Sequence, residues 1–90
     1  MSEADKDIRL TNDLRLTKSY TLSNDMELDL NGHTLTSTIS APLFTVNGKL
    51  TVKGGNASTN GQLARVNNGG DMTVENGVYN ASAADMIRVG

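Results

Sequence analysis

Cysteine and tryptophan are absent from this 90-residue chain, and proline and histidine occur once each. Without cysteine the chain can form neither a disulfide nor a thiolate metal site, which is compatible with any cellular compartment. No apolar run approaches the ~18 residues that a membrane-spanning helix needs. The opening residues 1–5 also lack the apolar core of a signal peptide. We therefore predict a protein that does not insert into a membrane.

A strong charge imbalance is also missing. The formal net charge is −2, and the eight Lys and Arg residues are scattered along the chain. A nucleic-acid-binding domain normally carries a basic patch that matches the phosphate backbone. We therefore predict no nucleic-acid partner.

Residues that favour turns and strands dominate the composition, with ten Asn, ten Thr and nine Gly. Apolar and polar residues alternate in segments such as 26–30, and a period of two is typical of strands with one buried face. No window places apolar residues on one side of a helix over three turns. The sequence predicts an all-β protein, with residues 1–7 as a polar N-terminal lead and residues 8–90 as one folded unit.

An internal repeat organises that unit. Asn31-Gly32, Asn47-Gly48 and Asn67-Asn68-Gly69 each lie between two apolar-polar-apolar segments. Self-similarity at a spacing of about twenty residues is typical of a solenoid, whose units bury their apolar faces only by stacking. Asn-Gly also favours two-residue β-hairpins. A hairpin would pair Val46 with Lys49 and mix apolar with polar residues on one face, and only residues 75–78 give a sensible hairpin register.

Parallel coils remove this conflict, because the strands on either side of a turn then belong to different sheets. Superposing the Asn-Gly segments predicts three inward columns: Leu30, Val46, Val66 and Val89; Leu28, Phe44, Ala64 and Ile87; Leu35, Leu50 and Met72. The same superposition predicts a ladder of hydrogen-bonded side chains at one corner, formed by Asn31, Asn47 and Asn67. The polar residues 54–61 are predicted to bulge from one coil as a loop.

Three segments, residues 28–35, 43–52 and 63–74, carry a resemblance to the right-handed parallel β-helix of the pectin-lyase-like type. The resemblance implies a right-handed β-helix solenoid of about four short coils over residues 8–90. Such stretches resemble those of bacterial surface proteins and of phage fibre, tail and capsid-decoration proteins. The resemblance therefore implies a location in a virion or at a cell surface.

Enzymes with this fold, the polysaccharide lyases and hydrolases, resemble one another in needing clustered carboxylates near a catalytic Arg or Lys. The superposition places Asp29 in an outward column with Thr45, Arg65 and Arg88, without a second carboxylate. His33 is predicted to be an exposed turn residue without metal-binding or triad partners. We therefore predict no catalytic residue, no metal site and no cofactor.

The last five residues begin a further repeat. Met86, Ile87, Arg88, Val89 and Gly90 match the start of a coil, and we predict that they form an edge for assembly. The sequence thus favours a non-enzymatic structural module that packs on copies of itself, with a trimer as the expected oligomer, or on a larger protein shell. Two alternatives stay open: a carbohydrate-binding adhesive module with a glycan partner, for which three aromatic residues offer little stacking surface, and a fragment of a polysaccharide lyase or hydrolase.

Overall fold

The computed structural model describes residues 7–82 and 86–89, and this part of the chain contains ten β-strands and no helix. In chain order the strands are β1 (Asp7–Arg9), β2 (Leu14–Leu16), β3 (Tyr20–Leu22), β4 (Met26–Asp29), β5 (Thr34–Ser37), β6 (Phe44–Val46), β7 (Lys49–Thr59), β8 (Ala64–Val66), β9 (Asp71–Ala81) and β10 (Ile87–Val89). Asp7, assigned to the polar lead from the sequence, is the first residue of β1. Residues 1–6 and Gly90 lie outside the described residues.

Parallel pairing between coils produces a solenoid with three faces. Face A stacks β1, β4 and the first halves of β7 and β9; face B stacks β2, β5 and the second halves of β7 and β9. Face C stacks β3, β6, β8 and β10. Each coil contributes one segment to each face, and every pairing among the described strands is parallel. The predicted all-β parallel solenoid of about four coils is confirmed.

Coil length varies around and above the predicted spacing of about twenty residues. Paired residues are 20 positions apart where Asp7 meets Glu27, and 24 apart where Met26 meets Leu50. Loops between strands absorb the difference, so the strands remain in register while the corners vary in length. The main axes of the described chain measure 31 × 28 × 23 Å.

Inward side chains of all three faces form one continuous core. In the second and third coils these residues are fully or almost fully buried, and the largest of them is Phe44. Complete burial of a Leu, Val or Phe side chain contributes about 1.5–3 kcal/mol. Among the described residues, the hydrophobic side chains with no exposed surface are Leu28, Leu30, Leu35, Leu43, Phe44, Val46, Leu50, Val52 and Ala64.

The upper parts of the predicted columns are correct and their lowest members are wrong. Val46, Val66 and Val89 stack as predicted, but the residue below them is Leu22. Likewise Tyr20, and not Leu28, lies below Phe44, and Met26, and not Leu35, lies below Leu50. The cause is the superposition of Asn31-Gly32 on Asn47-Gly48, two turns that occupy different corners of the solenoid.

The predicted loop at residues 54–61 is also wrong, since β7 continues as strand to Thr59. The strand turns the corner between faces A and B at two glycines. Gly54 has a left-handed φ of 82°, and a Cβ on Gly55 would lie 2.5 Å from His33 O. The hairpin considered at residues 75–78 does not form either, because β9 turns the same corner and stays paired with β7.

Candidate functional surfaces

The predicted Asn ladder contains one observed rung. Asn67 Nδ2 donates to Asn47 Oδ1 at 2.7 Å, where the chain leaves face C. These two residues follow β6 and β8, whereas Asn31 follows β4 on face A. Asn31 is therefore not part of this ladder, and its inclusion was an error of superposition. The Asn47–Asn67 bond is exposed, which limits its net contribution to stability to about 1 kcal/mol.

Asn31 instead ties the first two coils together at the corner between faces A and B. Its Nδ2 donates to Leu10 O and its Oδ1 accepts from Arg9, both at 3.1 Å. The backbone of Asn31 is left-handed, with a φ of 50°, and its N–H donates to Asp29 Oδ1 at 2.9 Å. Asn tolerates this conformation better than other side-chain-bearing residues do. The role of Asn31 is thus structural.

Face A carries a column of alternating charge on its outer surface. The register aligns Arg9, Asp29, Lys53 and Glu75, one from each coil. Adjacent strands lie about 4.8 Å apart, so each charge has a neighbour of opposite sign. The placement of Asp29 beside Thr45, Arg65 and Arg88 is wrong, since those three residues lie on face C with Thr21.

A second outer column, formed by Asp7, Glu27, Thr51 and Thr73, runs beside the first. Its Glu27 forms an ion pair with Lys53 of the first column, one coil above. Lys53 Nζ lies 2.5 Å from Glu27 Oε1, and both side chains are partly exposed. Hydrogen bonding to Glu27 and its negative charge raise the pKa of Lys53 above its ordinary value. An exposed pair of this kind contributes little to folding. It does fix the position of a charge on the outer surface of face A.

An open groove of about 650 Å³ lies at the edge of face A, where the chain arrives from face C. Its lining includes Asp7, Asp25, Glu27, Lys49 and Thr51. Among the described residues, no group of three or more His, Cys, Asp or Glu is arranged to hold a metal ion. The groove therefore offers mixed charges on an open surface.

No helix of the described chain has the length and apolar character to cross a membrane.

Two of the three aromatic rings are in the core. Phe44 is inaccessible and Tyr20 is 7 % exposed. Their ring centroids lie 6.4 Å apart. Tyr79, on β9, is partly buried, and its hydroxyl donates to Glu75 O at 2.6 Å. Burial, followed by the charge of Glu75, raises the pKa of Tyr79. A flat aromatic platform for a sugar ring is therefore not present among the described residues.

In the last coil the core is open to solvent. In the column Leu22, Val46, Val66 and Val89, the exposed fractions are 1 %, 0 %, 4 % and 79 %. Ile87, Met72 and Val74 are only partly buried, although Ala64, Leu50 and Val52 directly beneath them are fully buried. Among the described strands, β9 pairs only with β7 and β10 only with β8. Residues 86–89 of the predicted assembly edge thus lie at the exposed end of the stack, which we call the β9–β10 end.

Comparison with protein-family models, with curated proteins and with solved structures gives no match for this chain. Function must therefore be inferred from the surfaces themselves.

Sequence reasoning identified β10 and missed the longer edge, β9, because the repeat pattern marked Met72 as an inward strand residue and did not extend that strand to Ala81. It also missed the charged column, which requires the correct register. One signal was available in the sequence. Arg9, Asp29 and Lys53 each follow an apolar residue at the end of a strand segment, and spacings of 20 and 24 residues would have aligned them.

Proposed function

We propose that this protein is a non-enzymatic structural module that acts by assembly, through the β9–β10 end, on copies of itself or on a larger protein shell. The resemblance of its repeats to pectin-lyase-like β-helices of virions and bacterial surfaces favours such a location. We also propose that the coils of the solenoid are right-handed, as this resemblance implies.

The exposure of Val89 is the observation that carries the proposal. One step along its column, from Val66 to Val89, the exposed fraction rises from 4 % to 79 %. An apolar column that ends in solvent gains about 25 cal/mol for each Å² that a partner covers. An open strand edge next to it can pair with another chain, and natural solenoids cover such ends.

A catalytic function has weaker support. On face A the neighbours of Asp29 in its own column are the cations Arg9 and Lys53, and Lys53 is also paired with Glu27. This arrangement neutralises each carboxylate with a cation from the adjacent coil. A glycan-binding function would need an exposed aromatic surface, and Tyr20 and Phe44 are buried.

Light scattering over a wide concentration range tests the proposal. The expected result is a mass above that of the 9.5 kDa chain, which a Val89→Lys variant lowers because a charged side chain replaces the apolar one at the interface. A closed trimer would give a fixed threefold mass. Turnover of an acidic polysaccharide that disappears in Asp29→Asn would contradict the proposal and establish an enzyme.

A further inference from the structure

We propose that the partner of β9 is the first coil of a second copy, so that copies stack head to tail as one continuous solenoid. This inference rests on the proposed function and specifies its partner and geometry. In the stack β9 of one copy pairs in parallel with β1 and β2 of the next. The register of faces A and B then continues across the junction.

The charged column of face A supports this direction of stacking. Within one copy the column reads Arg9, Asp29, Lys53, Glu75, so it begins with a cation and ends with an anion. A second copy placed on β9 brings its own Arg9 beside Glu75, at the ~4.8 Å spacing of neighbouring strands. The alternation of charge continues without a like-charged pair. Opposite charges on neighbouring strands stabilise the pairing of those strands, and like charges directly opposite destabilise it.

The inward columns continue in the same register. Ile8 of the next copy lies on Val74, and Leu14 of the next copy lies on Tyr79, because these residues share columns within one chain. Each of these four side chains is partly buried, which leaves apolar surface for the junction to cover. On the outer surface of face B, Arg15 of the next copy meets Asn80, whose amide oxygen can accept its N–H donors.

The opposite arrangement, two β9 strands paired antiparallel around a twofold axis, does not match as well. With the corners superposed and inward residues kept inward, Val74 faces Tyr79 of the other copy. Glu75 then faces Val78 of the other copy in place of Arg9, so its only cationic neighbour among the described strands is Lys53 of its own chain. Two β10 strands brought together by the same axis set Arg88 against Arg88, which is a like-charged pair. Complementary charge therefore favours the head-to-tail stack.

A head-to-tail interface is heterologous, so it produces open filaments unless the rotation closes a ring. Sedimentation velocity and negative-stain electron microscopy of the full chain test this with two charge reversals, Glu75→Arg and Arg9→Glu. Each variant alone should lose filaments and shift to the monomer, since like charges meet at every junction. An equimolar mixture should restore filaments, because every mixed junction pairs Arg with Glu. Asp25→Arg makes the same change in net charge as Glu75→Arg, at a residue of the second coil that does not enter the junction, and should assemble like the wild type.

Arg9 also donates to Asn31 within its own chain, so melting curves at low concentration must show that Arg9→Glu is folded. If it is not, Glu75→Arg mixed with wild type still tests the model, since it should cap filaments and shorten them in proportion to its share. If the wild type assembles and neither Glu75→Arg nor the mixture differs from it in mass, head-to-tail stacking is wrong. The proposed assembly function would then remain intact. A wild type that stays monomeric at about 1 mM would overturn both self-assembly and the stack, and leave packing on another protein's shell as the only form of the proposed function.

Discussion

The contribution of a residue to the stability of this solenoid depends more on the coil that it occupies than on its residue type. Val46, Val66 and Val89 are chemically identical and stack in one column, yet Val46 is inaccessible and Val89 is 79 % exposed. Burial of an apolar side chain stabilises a fold in proportion to the area removed from water. The same substitution should therefore destabilise the fold strongly at one position of this column and hardly at all at another.

Val66→Asp should unfold the protein, whereas Val89→Asp should not. Val66 is 4 % exposed between two valines, so its replacement places an unpaired carboxylate in the core at a cost of about 4 kcal/mol or more. That is comparable with the whole stability of a small domain. At Val89 the change should stay within about 0.5 kcal/mol in the dilute protein. Urea unfolding followed by circular dichroism measures both; an unchanged midpoint for Val66→Asp would contradict the core assignment.

Asn31 should matter more than Asn67, although the repeat pattern suggests equal roles. Asn31→Gly keeps the left-handed backbone and loses two side-chain hydrogen bonds, at a cost of about 1 kcal/mol. Asn31→Ala adds about 1 kcal/mol, because Ala adopts a φ of 50° poorly. Asn67→Ala removes one exposed bond and should cost less than either. Free energies of unfolding for the three variants should follow that order, and an Asn31→Ala value no larger than that of Asn67→Ala would refute it.

For the strands, the sequence predicted the type correctly and the register only in part. Alternation in Phe44-Thr45-Val46 and Ala64-Arg65-Val66 identified two paired strands of face C, because both precede Asn and share a 20-residue spacing. The predicted register of face A is wrong because Asn31-Gly32 has the same sequence as Asn47-Gly48 but forms another corner of the solenoid. Asn31 and Gly32 are left-handed, with φ of 50° and 78°, whereas Asn47 and Gly48 have no left-handed φ. Asn and Gly suit corners of both geometries, so these residues identify a corner without saying which one.

The second half of β7 was missed for a related reason. Residues 54–59 are Gly, Gly, Asn, Ala, Ser and Thr, a composition typical of loops. Parallel pairing with β5 on one side and β9 on the other holds this segment as strand. Its inward residues, Ala57 and Thr59, are small, and Thr59 Oγ1 donates to Gly61 O at 2.8 Å. Tertiary pairing outweighs local propensity here.

Lys53 on β7 and Tyr79 on β9 should make the stability of the protein fall at high pH. The folded pKa of Lys53 is raised by Glu27, and that of Tyr79 is raised by burial and by Glu75. Both groups therefore hold their protons more tightly in the folded state, so their contributions are complete below the unfolded pKa values near 10 and disappear as pH rises through the folded values. Unfolding midpoints between pH 8 and 12 should decline less in Tyr79→Phe and Glu27→Gln than in the wild type. Equal declines in all three proteins would show that neither group is linked to folding.

At the scale of the whole molecule, the described strands of the middle coils are paired on both sides and those of the first and last coils on one side. Strand β7 pairs with β4 and β5 below and with β9 above, whereas β9 pairs only with β7 among the described strands. Successive N–H groups of a strand point to opposite sides, so about half of those in β9 face the open edge. Local stability should therefore decrease from the second and third coils towards the β9–β10 end.

Hydrogen–deuterium exchange read by mass spectrometry should show this gradient and its dependence on assembly. In dilute monomer, peptides covering β9 should exchange faster than peptides covering β7. At concentrations that assemble the protein, exchange in β9 and in β1 should slow together, because stacking pairs one with the other, while β7 should change little. Glu75→Arg should keep β9 fast at the same concentration, and Asp25→Arg should not. Slow exchange of β9 in the dilute monomer would mean that its outer edge is already covered, and slowing of β9 without β1 would favour a partner other than the first coil of a second copy.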